Sequence, residues 1–161
     1  IGAIPGILRA CPRAVFVIAG TGSQQEYLKG LARSAGISDN VFFIGKYFHD
    51  TLPALLNTAD VYVSNSLSDA GISASTAEAM ACGLPVVVTD TGENKKWIED
   101  SKNGFLVPAA DPRLLADKII ALLADPELRK EIGKEARKTI LSRNDYNNEM
   151  AGMEKIYESL I

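Results

Sequence analysis

Cysteine, histidine and tryptophan are scarce in this 161-residue chain, at two, one and one. Two thiols, Cys11 and Cys82, are too few for a disulfide framework and suit a reducing compartment. With a single imidazole beside them, they also argue against a structural zinc site. No apolar run approaches the ~20 residues that cross a bilayer, and no signal-peptide pattern opens the chain. Positive charge is not in excess either. Lys and Arg number 17 against 20 Asp and Glu, a formal net charge of −3. A phosphate-backbone binder needs a basic face, so nucleic acid is not an expected partner.

What remains is an ordinary globular composition, 47% hydrophobic and 23% charged. A domain of this size buries roughly 70% of the surface its unfolded chain exposes, enough for one real core. The chain opens at Ile1, inside an apolar segment, and is expected to be a single domain cut from a longer polypeptide. Short apolar runs alternate with helical patterns. Candidate strands are Ala14 to Ala19, Val41 to Ile44, Val61 to Val63, Pro85 to Thr89 and Phe105 to Val107. Most are continuously apolar, the mark of a sheet covered on both faces. Helical stretches run from Gln24 to Ala35, Leu52 to Thr58 and Ala74 to Ala81, with a short one near Lys96. Strand, helix, strand with such connections implies right-handed crossovers and a parallel sheet. The expected class is α/β, Rossmann-like and doubly wound.

Beyond Val107 only helices follow. Asp111-Pro112 and Asp125-Pro126 each pair a carboxylate N-cap with proline at the first helical position. The first of these helices sets Leu115, Ile119 and Leu122 on one face; the second sets Leu128, Ile132 and Ala136 there. Tyr146, Met150, Met153, Tyr157 and Leu160 then form a narrow stripe on an otherwise polar helix, 146–161. Docking on the chain's own sheet is the simpler expectation for that stripe; packing toward a missing domain is the other.

In an open parallel sheet, ligands bind where loops leave the carboxyl ends of the strands. Four such loops carry polar or glycine-rich sequence. The first contains Gly20, Thr21, Gly22 and Ser23, and its two glycines allow a tight turn and close approach to a ligand. A dinucleotide fingerprint would need a further glycine where Gln25 stands. A tight turn into a helix capped by Ser23 explains the pair equally well, and a dehydrogenase is disfavoured. The second, Gly45-Lys46-Tyr47, offers an open backbone, a cation and an aromatic face on which a planar base can rest.

The third loop, from Ser64 to Ser73, is small and polar and feeds a helix beginning near Ala74. Bare N–H groups in such a first turn face an anion. Gly71 permits close approach of a phosphate, and Ser73 and Ser75 add hydroxyl donors. Glu78 follows on a segment otherwise made of Ala, Met and Cys, where a buried carboxylate is costly unless something hydrogen-bonds to it. A vicinal diol such as a ribose meets that need; a favourable charge near the helix N-terminus is the plainer reading. Gly83 closes this helix as a left-handed cap, Pro85 forbids its continuation, and Cys82 reads as a small buried hydrophobe. In the fourth loop, Glu93 and Asn94 either meet sugar hydroxyls or cap the short helix that follows.

The run from Glu78 to Val87, EAMACGLPVV, with the Ser/Asp/Gly-rich loop before it, closely resembles the signature of group 1 (GT4-type) glycosyltransferases. Phe43-Ile44-Gly45, Val17 to Gly22, Thr89 to Gly92 and Asn103 to Val107 occur in the family's order, so the resemblance spans nearly the whole chain. It implies a GT-B architecture of two Rossmann-like domains, of which this is the C-terminal, nucleotide-sugar-binding one. By that resemblance Glu78 holds the donor's ribose hydroxyls, and the amides of Gly71, Ile72, Ser73 and Ala74 hold its diphosphate. Gly45, Lys46 and Tyr47 line the base, with Gly20 and Gly22 beside them. Family members usually carry a second acid eight positions before the glutamate; here that position is Ala70, and Asp69 is the nearest acid, expected to orient the sugar in its place.

The implied chemistry is transfer of a hexosyl group, with retained configuration, from a UDP- or GDP-linked sugar to a hydroxyl acceptor. No cofactor or metal is expected. The acceptor-binding N-terminal domain is the expected partner, and membrane contact would come through that half only. The composition fits a cytoplasmic protein, with peripheral location at the inner membrane face as an extension. The alternatives are a nucleotide-sugar epimerase of the same architecture and a non-catalytic nucleotide-sugar-binding module.

Overall fold

The computed structural model describes residues 1–67 and 71–160. Five strands and eight helices alternate along the described chain. Strands β1 (Phe16–Ala19), β2 (Val41–Gly45), β3 (Tyr62–Ser64), β4 (Val86–Thr89) and β5 (Phe105–Val107) lie within a residue or two of the expected runs. Around them are α1 (Ile4–Ala10), α2 (Gln25–Ser34), α3 (Leu52–Leu56), α4 (Ala74–Ala81), α5 (Asn94–Trp97), α6 (Pro112–Ala124), α7 (Pro126–Arg143) and α8 (Tyr146–Glu158). Every strand pair is parallel, giving the expected Rossmann-like α/β class.

The strands do not form one continuous sheet. β1 pairs with β2, while β3, β4 and β5 form a separate three-stranded ladder in that order. Helix α1 spans both ladders from one face. Its Ile7, with Ala3 just before the helix, joins Val87, Phe105, Val107, Ile119 and Leu122 in one apolar core. Its Ile4 joins Ala32, Ile37 and Val41 in another, under the β1–β2 pair. On the opposite face of the three-stranded ladder, α3, α4 and α7 close a third core around Met80, Val86, Val88 and Ala136.

Coverage on both faces, as the sequence leads one to expect, holds for β4, where Val86, Val87, Val88 and Thr89 are all buried. It fails for β1 and β2. Their residues alternate, and Val17, Phe42 and Ile44 are exposed on the face away from α1 and α2. Periodicity records how apolar a strand is, whereas coverage depends on what the rest of the molecule lays over it.

Local chemistry sets most element boundaries. Asp111 accepts from the Leu114 N–H, and Asp125 from those of Glu127 and Leu128, so both expected N-caps are made. Gly83, at φ +78°, ends α4: its N–H reaches the Met80 carbonyl and that of Leu84 reaches the Ala79 carbonyl. This paired closure is the Schellman arrangement a glycine permits. Cys82, just before it, is only partly buried. Ser23, by contrast, does not cap α2. Gln24 occupies the N-cap position in a helical conformation with no side-chain bond, because the turn after Gly22 already winds as helix.

Helix α8 corrects a second expectation. None of its residues is buried, and Tyr146, Met150, Met153, Ile156, Tyr157 and Leu160 all stand exposed. The stripe therefore does not dock on the described sheet. Asp145 accepting from the Asn148 N–H, rather than tertiary packing, marks where the helix starts.

Candidate functional site

Because all strands run the same way, their carboxyl ends gather the four loops on one edge of each ladder. At the β1–β2 pair, the Gly20 N–H donates to the Gly45 carbonyl at 2.7 Å. The ladder register slips between Ile18 and Ala19, so Ala19 pairs with Gly45 itself. Gly20 has φ +111° and Gly45 φ +70°, and a Cβ on either, or on Gly22, would meet nothing within 4 Å. Gly20 and Gly45 thus turn the chain where side-chain-bearing residues would be strained, and all three glycines face open space. Lys46 and Tyr47 continue from Gly45 as exposed side chains.

At the three-stranded ladder, β3 leads through the third loop into α4. Gly71 adopts φ +94° with open space where a Cβ would sit. Ile72 is partly buried and packs against the core behind α4, so the loop is pinned inward one residue after that turn. Ser73 is the N-cap, its Oγ accepting from the Thr76 N–H at 3.3 Å and lying 2.7 Å from the Thr76 hydroxyl. The N–H groups of Ala74 and Ser75 have no intrahelical acceptor by the geometry of any helix start. With the helix dipole behind them, they make a place for an anion.

Two hydroxyls that the sequence offers as ligand donors have work inside the protein. Ser73 caps, and Ser75 Oγ accepts from the Tyr62 hydroxyl at 2.8 Å. As acceptors in these bonds both hydroxyls keep a proton to donate, so they stand beside the backbone amides of the first turn as donors. Glu78 stands on the fifth residue of α4, half-buried between the buried Ala77 and Ala79. It has an interaction partner within the protein. A carboxylate offers about four lone-pair sites, so a diol can be accommodated alongside. Asp69 and Ala70, the family's second-acid region, lie outside the described residues.

In the fourth loop no side chain caps α5, so the cap reading of Glu93 and Asn94 is not met. Asn94 is 2% exposed, and its amide donates to the Thr89 carbonyl at 2.9 Å. It is buried beside the end of β4. Glu93 makes no side-chain cap and pairs instead with Lys96. Lys95 reaches Asp90 at 3.4 Å. Sequence reasoning also missed the tie between loops: Thr89 and Thr91 both donate their hydroxyls to the Ser66 carbonyl, the latter at 3.2 Å. The signal for it was a hydroxyl ending the otherwise apolar β4, since a buried donor must find an acceptor.

Among the described residues no three His, Cys, Asp or Glu side chains gather as a metal site. No described helix is long and apolar enough to cross a membrane.

Comparison with known proteins adds a family. Residues 1–139 match the model for "Glycosyl transferases group 1". An uncharacterized glycosyltransferase of Methanocaldococcus jannaschii is 34% identical over 149 residues, covering 88% of this chain and 38% of its own length. A phosphatidyl-myo-inositol mannosyltransferase of Mycobacterium leprae is 28% identical over 161 residues, covering 98% of this chain and 41% of that protein. Among solved structures, a mutant of TarM from S. aureus, crystallised with UDP, fondaparinux and α-GlcNAc-glycerol, superposes with a TM-score of 0.82 at 26% identity. That match covers 94% of this chain and 30% of TarM. The chain thus spans well under half the length of each of these three proteins.

Proposed function

This chain belongs to the group 1 glycosyl transferases, and we propose that it is the donor-binding half of an enzyme that moves a hexosyl group from a nucleoside-diphosphate sugar to a hydroxyl acceptor. The observation that carries the proposal is the start of α4. There a left-handed Gly71, a Ser73 cap and unpaired backbone amides stand at a strand's carboxyl end, with Glu78 one turn further along. The UDP held by TarM supports a uridine nucleotide as the first ligand to try.

In this reading the diphosphate lies against the N–H groups of Ala74 and Ser75, and Glu78 accepts from the ribose hydroxyls. The open turns at Gly20 and Gly45, with Lys46 and Tyr47 beyond, receive the base. Negative charge grows on the diphosphate as the glycosidic bond breaks. Amides already aimed at that charge lower the barrier without reorganising, and fixing the donor removes part of the entropic cost. The reading requires no bound cation. The acceptor and the retained configuration depend on the second domain, across whose cleft the sugar would lie.

Calorimetric titration with UDP and GDP is the direct test, with Glu78→Ala alongside. The wild-type protein should bind one of them and the variant should bind at least tenfold more weakly, since hydrogen bonds to a charged group are worth about 1.5–3 kcal/mol. Equal heats from both proteins would remove Glu78 from the ribose role. Incubating the intact polypeptide with nucleotide sugar alone, and finding an epimer by NMR, would replace transfer by epimerisation.

A further inference from the structure

We propose that Thr89 is a positioning residue that holds the donor-binding loop in register with the sheet; the donor part of this inference rests on the function proposed above. The ladder between β3 and β4 pairs Tyr62 with Val86, Val63 with Val87 and Ser64 with Val88, and there it ends. One step further, main-chain pairing is replaced by side chains. The Thr89 hydroxyl donates to the Ser66 carbonyl, and the Thr91 hydroxyl donates to the same oxygen. Thr89 is 3% exposed, so its hydroxyl has been withdrawn from water and must be satisfied by protein. Its own carbonyl receives the Asn94 amide at 2.9 Å, which locks the end of β4 to α5. One residue therefore joins the third loop to the fourth.

The other end of the third loop has its own tether, the Tyr62 hydroxyl on Ser75 Oγ. Among the described residues, Ser66 is thus tied to β4 and Ser75, in the first turn of α4, to β3, each by a side-chain bond. Valine at position 89 would fit the buried, all-apolar run of β4 in shape while removing the donor. The Thr91 hydroxyl, at 3.2 Å from the Ser66 carbonyl, would remain. Loss of the Thr89 bond would loosen residue 66, upstream of Gly71 and the first turn of α4, while leaving the main-chain ladder of β4 in place.

The test uses the intact protein with Thr89→Val and Thr89→Ser, read by amide hydrogen exchange and by titration with UDP and GDP. Thr89→Val should speed exchange at residues 65–67 and 71–75 while the Val86–Val88 amides keep their protection, and should weaken nucleotide binding roughly tenfold. Thr89→Ser, which keeps the donor and drops a methyl, should restore both. Unchanged loop exchange in Thr89→Val overturns the inference, as does equal loss in the valine and serine variants, which would assign Thr89 to packing. Wild-type protein that binds neither nucleotide overturns the donor reading; the tether is then judged on loop exchange alone. Should Thr89→Val fail to fold, Thr91→Val removes the second donor to the same carbonyl and should produce a smaller shift in the same amides.

Discussion

Gly133 of α7 rests on the carbonyl of Gly83, so close that a Cβ added to Gly133 would stand 2.0 Å from that oxygen. A glycine inside a helix costs about 0.5–1 kcal/mol relative to alanine, so its presence needs a compensating contact. Here the contact is with the turn that ends α4, and it sets how closely α7 approaches that helix. Gly133→Ala should destabilise the fold by about 1–3 kcal/mol despite its better helix propensity, as overpacking does. Denaturant unfolding measures this, and a stabilised variant would contradict the packing.

Tyr62→Phe tests the β3 tether of α4. Removing the phenolic hydroxyl leaves Ser75 without its donor at 2.8 Å and should cost about 1 kcal/mol of stability. The comparison that matters is with Ser75→Ala in the same background. A double-mutant cycle should show the two losses to be shared rather than additive.

The cap at Asp125 serves two amides, those of Glu127 and Leu128, each at 3.0 Å. Asp125→Ala should lower stability by about 1 kcal/mol and Asp125→Asn by less, because asparagine also caps. Thermal unfolding of the three proteins orders them.

Two leucines should respond in opposite ways. Leu122 is fully buried between α1 and the three-stranded ladder, so Leu122→Ala should cost about 2–5 kcal/mol. Leu160, beyond α8, is 76% exposed, and Leu160→Ala should stay within about 0.5 kcal/mol of the parent in this 161-residue chain. A comparable loss at both would mean that α8 packs on the domain in solution.

Glu26 and Lys29 pair on the exposed side of α2 at 2.8 Å, and the lysine holds the Glu26 carboxyl below its ordinary value. A carboxylate shifted down contributes only while ionised. Its effect is present above the ordinary carboxylate range and lost as the pH falls through the shifted value. An NMR titration should find Glu26 at a lower midpoint than the same residue in Lys29→Gln.

Much of this fold was legible because its signals are local. Asp111, Asp125 and Gly83 announce helix ends through bonds made within a few residues, and all three do what the sequence indicates. Ser23 misled for the same reason: the residue type suits a cap, yet the backbone after Gly22 was already helical. What the sequence hid depends on distant partners. The separation of β1–β2 from β3–β5, the bare stripe on α8 and the convergence of Thr89 and Thr91 on Ser66 each involve segments many residues apart. At the site, the glycines and the α4 start were readable from spacing. The inward turn of Asn94 was not, since an amide looks the same whether it caps, binds or braces.

The two-stranded ladder has a practical consequence. Among the described residues β1 bears one partner, β2, and on the face away from α1 the pair shows Val17, Phe42 and Ile44 to water. An apolar ribbon with an unmated edge is a template for another molecule's backbone. Concentrated preparations of the 161-residue polypeptide should therefore stick to one another strand to strand, and a lysine replacing Val17 should keep them apart.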